Sequence, residues 1–170
     1  MKLILSDRPL ALPETDPDDI RLIDLSRLKI ANCVGCFGCW TKTPGKCVIR
    51  DDAVKVYPAI AASRQILYVS KVKYGGYDTV MKTMLERSIP VQQAFIRLLH
   101  GETHHVQRAV VPKQAVILAY GDIPEQEQQV FRRLVERNAS NMNFEGFRVV
   151  FVPEHEVEQK VREEVLAWTR

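Results

Sequence analysis

Four cysteines, Cys33, Cys36, Cys39 and Cys47, fall within fifteen residues, and the chain has no others. Three recur at every third position. The fourth follows a spacer that contains Pro44 and Gly45. This spacing belongs to a loop and not to one face of a helix. A thiolate is both a nucleophile and a soft metal ligand, so thiols at this density point to metal, redox or thiol chemistry. In a reducing compartment, structural disulfides are disfavoured. A zinc site fits the spacing less well, because zinc modules usually pair two short arms across a longer span. A redox disulfide and a set of reduced thiols that only shape the loop remain open beside it.

The residues around the thiols extend the possible chemistry. Asp51 and Asp52 end the stretch and are placed to cap a following helix, meeting free backbone N–H groups at its positive end. Phe37 and Trp40 lie among the cysteines, where loop aromatics cover a planar ligand or pack on the domain. Lys42, Lys46, Arg50, Lys71, Lys73 and Lys82 bring positive charge to two loops, which suits an anionic ligand or is solvated surface charge. His104 and His105 offer proton donors or metal ligands; without a visible partner they read as surface or interface residues.

The elements that must position these groups follow from pattern and length. The 170 residues, 46% hydrophobic, suit a single domain, 1–170, with its own core. The N-terminal run is too short and too soon charged for a signal peptide, and no apolar run could span a bilayer, so a cytoplasmic protein without membrane contact is expected. A net charge of +3 with no long basic run makes nucleic acid an unexpected partner.

Lys2 to Leu5, Ile20 to Leu25, Ile66 to Val69, Ala115 to Tyr120 and Phe147 to Val152 read as strands. Pro9, Pro13 and Pro17 exclude a regular helix between the first two. Helical spacing marks residues after Asp52, then Thr79 to Ile89, Pro124 to about Met142, and a last helix through Val157 and Trp168. Gly75 and Gly76 mark a tight turn. Val91, Phe95, Ile96 and Leu99 suggest a short helix, and Gly101 to His105 a loop. Apolar strands alternating with helices imply a parallel sheet covered on both faces, with ligands outside the carboxyl ends of its strands.

Several motifs together resemble one known family. They are C-x-G-C-x-x-C-W-x-K-T-P-G-x-C-x-x-x-D-D from Cys33 to Asp52, Y-G-G-Y from Tyr74 to Tyr77, E-R-S-I-P from Glu86 to Pro90, and G-E-x-H-H from Gly101 to His105. Across residues 20 to 150 the chain resembles the NADPH-dependent FMN reductase and iron–sulfur flavoprotein branch of the flavodoxin-like superfamily. The resemblance implies an α/β three-layer sandwich with a parallel sheet in the order 2-1-3-4-5, the first crossover helix here shortened or absent. It implies a homodimer or homotetramer that binds FMN at the carboxyl edge, takes electrons from NADPH and passes them to a small-molecule acceptor.

By the same resemblance the loop after the third long strand flanks the flavin through Ser70, Lys71, Val72, Lys73, Tyr74 and Gly75. The loop after the fourth does so through Tyr120, Gly121 and Asp122. Phe37 and Trp40 would then lie near a flavin or nicotinamide face, making the cysteine stretch one wall of the cofactor site. The cysteine spacing matches the compact motif of the iron–sulfur flavoproteins, so the resemblance admits a [4Fe–4S] cluster on Cys33, Cys36, Cys39 and Cys47.

The chain departs from the family after the first strand. In place of a glycine- and serine-rich phosphate loop it has Ser6, Asp7, Arg8 and Pro9. Asp7 repels a phosphate and Pro9 lacks an N–H, leaving Ser6 and Arg8 to help. Losing about three charge-assisted hydrogen bonds weakens binding on the order of a thousandfold. The expected function is an FMN-dependent NAD(P)H oxidoreductase; a [4Fe–4S] electron carrier and a non-catalytic subunit that has lost FMN are the alternatives.

Overall fold

The computed structural model describes residues 1–12 and 20–168. Five parallel strands form the centre: β1 (Lys2–Ser6), β2 (Ile20–Asp24), β3 (Gln65–Lys73), β7 (Lys113–Tyr120) and β8 (Phe144–Val152). Their order is β2-β1-β3-β7-β8. With the strands outside this path set aside this is the expected 2-1-3-4-5 arrangement. Leu5 pairs with Ile23 on one side and Tyr68 on the other, and Tyr68 pairs with Ile117.

The near-continuous apolar runs have two destinations. Leu3, Leu5, Ile66, Tyr68, Ala115 and Ile117 face one core with α2 (Ala53–Ala62), α3 (Thr79–Glu86) and α4 (Glu125–Asn141). The residues alternating with them, Ile4, Leu67, Val69, Val116 and Leu118, meet Val157, Val161 and Val165 of α5 (Val157–Trp168). Both faces are therefore buried, as parallel strands require. Residues 7–12, after β1, contain no helix. Pro13 and Pro17, expected to keep this connection irregular, lie outside the described residues.

Two hairpins depart from the expected layout. At the end of β3, Tyr74 and Gly75 both take positive φ, 53° and 70°, and turn the chain back into β4 (Gly76–Tyr77). Paired positive φ values define the two-residue turn whose twist suits a hairpin. The segment 92–107 is a second hairpin, β5 (Gln92–Leu99) and β6 (Glu102–Gln107), and not a short helix followed by a loop. His100 and Gly101, at φ 52° and 80°, form its turn. Phe95, Ile96 and Leu98 are exposed on β5. Among the described residues no helix is long and apolar enough to cross a membrane.

Candidate functional site

The cysteine segment leaves β2 through a tight helical turn capped by Asp24, whose carboxylate accepts from Ser26 N–H. From Leu28 to Asp52 the chain is loop except for one turn of helix, α1 (Gly38–Thr41). Asp51 and Asp52 hold this excursion. The Lys29 N–H donates to Asp52 (3.0 Å), and the Ala31 N–H donates to Asp51 (2.8 Å).

Arg87, only 1% exposed at the end of α3, completes the clamp. It donates to both Asp51 oxygens (2.7 and 2.9 Å), to the Ala31 carbonyl (2.6 Å) and to the Cys47 sulfur (3.4 Å). Burial alone would raise the Asp51 pKa, but the Arg87 hydrogen bonds and the Ala31 and Ala53 N–H groups hold it below the usual carboxylate value. The expected helix-capping role is thus a minor part of its work: Asp51 does accept from the Ala53 N–H at 3.1 Å, yet its chief partner is Arg87.

All four cysteines border one pocket of about 90 Å³, which Trp40, Ile49 and Ile89 also line. Gly35 and Phe37 take left-handed φ of 63° and 56°, reversing the chain twice between Cys33 and Cys39. Burial, followed by the charges of Cys47, Cys33 and Cys36, pushes the Cys39 thiol up. Trp40 packs: its indole N–H donates to the Gln92 carbonyl (3.1 Å), and its ring lies 4.6 Å from that of His105. Among the described residues no three His, Cys, Asp or Glu side chains converge as ligands for a metal ion. A tetrahedral zinc would need sulfurs about 3.8 Å apart.

The expected flavin-facing residues are divided by the structure. Lys71, Val72 and Lys73 do meet Gly121 and Asp122, with Pro153 and Glu154, around an open depression at the carboxyl edge. Ser70 and Tyr120 turn instead to Asp7. The Asp7 carboxylate accepts from Lys71 N–H (2.7 Å), Ser70 hydroxyl (3.1 Å) and Tyr120 hydroxyl (2.8 Å). Burial pushes the Asp7 carboxyl up despite these donors. Ser6 exchanges hydrogen bonds with Arg8 backbone, and Arg8 pairs with Glu154 (3.4 Å). Tyr74 and Gly75 form the hairpin tip, where Gly75 N–H donates to Glu127 (3.0 Å).

Three expected placements change. The cysteine pocket and the edge depression share no lining residue, so the cysteine stretch is not a wall of that depression. The positive edge is largely neutralised, since Lys71 pairs with Glu154, Lys73 with Asp78 and Lys82 with Glu86. His104 is buried and held between Asn141 and Glu102 at 3.1 Å each. The sequence marks Arg87 only within the E-R-S-I-P motif and Glu154 not at all: nothing local marks a charge whose partner lies 36 positions away or more.

The structure superposes on an FMN-dependent NADH-azoreductase from Bacillus anthracis with a TM-score of 0.55 at 11% identity, covering 96% of this chain and 94% of that one. The azoreductase AzrA gives 0.57 at 10% identity, covering 98% and 94%. The chain has the flavodoxin-like fold. Two curated relatives of this flavodoxin-like chain are both named iron–sulfur flavoprotein, as the motif resemblance implied. One, from Archaeoglobus fulgidus, is 31% identical over 84 residues, or 49% of this chain and 37% of the relative. The other, from Methanocaldococcus jannaschii, is 30% identical over 77 residues, or 45% and 39%. The alignments thus span well under half the length of these relatives. No family model matches the chain.

FMN, the cofactor in the azoreductase complex, is poorly matched at its phosphate end. In this flavodoxin-like chain the Ser70, Lys71 and Tyr120 donors converge on the Asp7 carboxylate, which already occupies the position of an anion. A phosphate brought to the same donors would meet a like charge. The depression at the carboxyl edge is open, while the donors beside it are taken by Asp7.

Proposed function

We propose that the chain is a redox protein of the flavin oxidoreductase-like class whose electron carrier is a [4Fe–4S] cluster on Cys33, Cys36, Cys39 and Cys47. The observation that carries this reading is that all four cysteines of one loop border a single pocket. The group would supply one-electron transfer. The chain's own residues do the rest: Arg87 places positive charge and an N–H donor beside Cys47, and Asp51 and Asp52 fix both ends of the loop. Trp40, Ile49 and Ile89 line the inner side of the pocket with apolar surface, while Cys33 and Cys36 are exposed.

Anaerobic reconstitution with iron and sulfide tests it. The expected product is brown, with broad visible absorption bleached by dithionite and iron lost in Cys36→Ser and Cys39→Ser. A colourless, iron-free product overturns the reading.

A second reading, an FMN-dependent NAD(P)H oxidoreductase delivering electrons to a small acceptor, is favoured by the depression between Lys71–Lys73 and Gly121–Asp122. Asp7 opposes it. FMN is expected to bind the wild type weakly and Asp7→Ser about tenfold more tightly, because Ser70, Lys71 and Tyr120 regain free donors. If fluorescence titration finds no FMN binding to either protein, this second reading fails.

A further inference from the structure

A cavity of about 340 Å³ lies between α3, α4 and the start of β5, apart from the edge depression and next to the cysteine pocket, with which it shares Ile89. That volume is at the lower end of the range that holds small ligands. Leu85, Ile89, Leu134, Met142 and the rings of Tyr68 and Tyr77 supply its apolar wall. Most polar groups along it are already engaged. Ser88 donates to the Met84 carbonyl (3.0 Å), Gln92 Nε2 to the Asn141 carbonyl (2.9 Å), and Lys82 pairs with Glu86.

Tyr68 is the exception. It lies in the middle of β3, is 1% exposed, and its hydroxyl has no hydrogen-bond partner among the described residues. An unmet buried hydroxyl carries a real desolvation cost, and burial also keeps this phenol protonated, hence a donor. What enters must therefore accept a hydrogen bond. It must also be neutral, since the one cation at the wall, Lys82, is already paired and the remaining walls penalise charge.

We propose that this cavity binds a small, neutral, mainly apolar molecule bearing a carbonyl oxygen, which accepts a hydrogen bond from Tyr68. The proposal stands on the cavity alone and does not depend on the redox reading.

Calorimetric titration of the purified protein with α-tetralone, and with tetralin as the same skeleton lacking the oxygen, tests it. In the wild type α-tetralone is expected to bind about tenfold more tightly than tetralin. Tyr68→Phe keeps the cavity and removes only the hydroxyl, so that advantage should vanish while the thermal midpoint stays equal or rises. Leu134→Trp, which fills the cavity from α4, should abolish binding of both. Failure of both compounds to bind the wild type overturns the proposal, as does an α-tetralone advantage that survives in Tyr68→Phe.

Discussion

Buried Arg87, through its partner Asp51, and half-buried Asp7 have opposite consequences for acid stability. Arg87→Gln leaves Asp51 without its ion-pair partner and is expected to cost about 3 kcal/mol, read as a lowered urea midpoint. Asp51 has a folded pKa below its ordinary 3.8, so it contributes stability that is present above that value and lost as pH falls through the lower folded pKa. Arg87→Gln should therefore flatten the acid limb of the stability profile. Asp7 has a folded pKa raised above 3.8. Its contribution is complete below 3.8 and is lost as pH rises through the folded value. Asp7→Asn keeps an oxygen for Lys71 N–H and an amide for the Tyr120 hydroxyl. Its thermal midpoint should exceed the wild type's at pH 7, and the gain should disappear in acid. A gain of equal size at every pH would refute the ionisation argument.

At the level of elements, Lys113 begins β7 almost wholly buried, its ammonium donating to the Val111 (2.6 Å) and Met142 (3.4 Å) carbonyls. Burial lowers its pKa from 10.5 to about 8. A depressed lysine disfavours its charged form in the fold, so stability rises as pH climbs from about 8 towards 10.5. Lys113→Met should raise the midpoint at pH 7, with a gain that shrinks across that window. Gly75 binds the β3–β4 turn to α4: a Cβ there would lie 2.7 Å from a Val130 methyl, at a φ of +70°. Gly75→Ala is expected to cost about 2 kcal/mol in urea denaturation. Val130→Ala should recover only the steric part.

These same elements divide what was legible in the sequence from what was not. The five parallel strands were legible because sheets buried on both faces need unbroken apolar runs, as in Ile66–Val69 and Ala115–Tyr120. The β5–β6 hairpin was not, because Val91, Phe95, Ile96 and Leu99 happen to fall at helical spacing and its turn is His100–Gly101 in place of Asn-Gly. Cysteine spacing announced a common site. The buried arginine behind it and the Asp7 network arise from contacts across 36 and more positions, which no local pattern carries.

Over the whole molecule, one face of the sheet is covered by α2, α3 and α4, whereas the other is served, among the described residues, by α5 with Leu10 and Leu12. This asymmetry accompanies a connection after β1 that turns at once to Asp7 and Arg8 and forms no helix over residues 7–12. The same short path brings Asp7 onto the ends of β3 and β7. The non-helical path of residues 7–12 and the capture of the Ser70, Lys71 and Tyr120 donors by Asp7 thus share one cause.

Ile89 is common to the walls of the cysteine pocket and the Tyr68 cavity. A partition one side chain thick makes the thiols a gauge of their neighbour. Swelling the far side with Leu134→Trp should alter the alkylation rate of Cys39, followed by mass spectrometry, with no reagent touching the cavity itself.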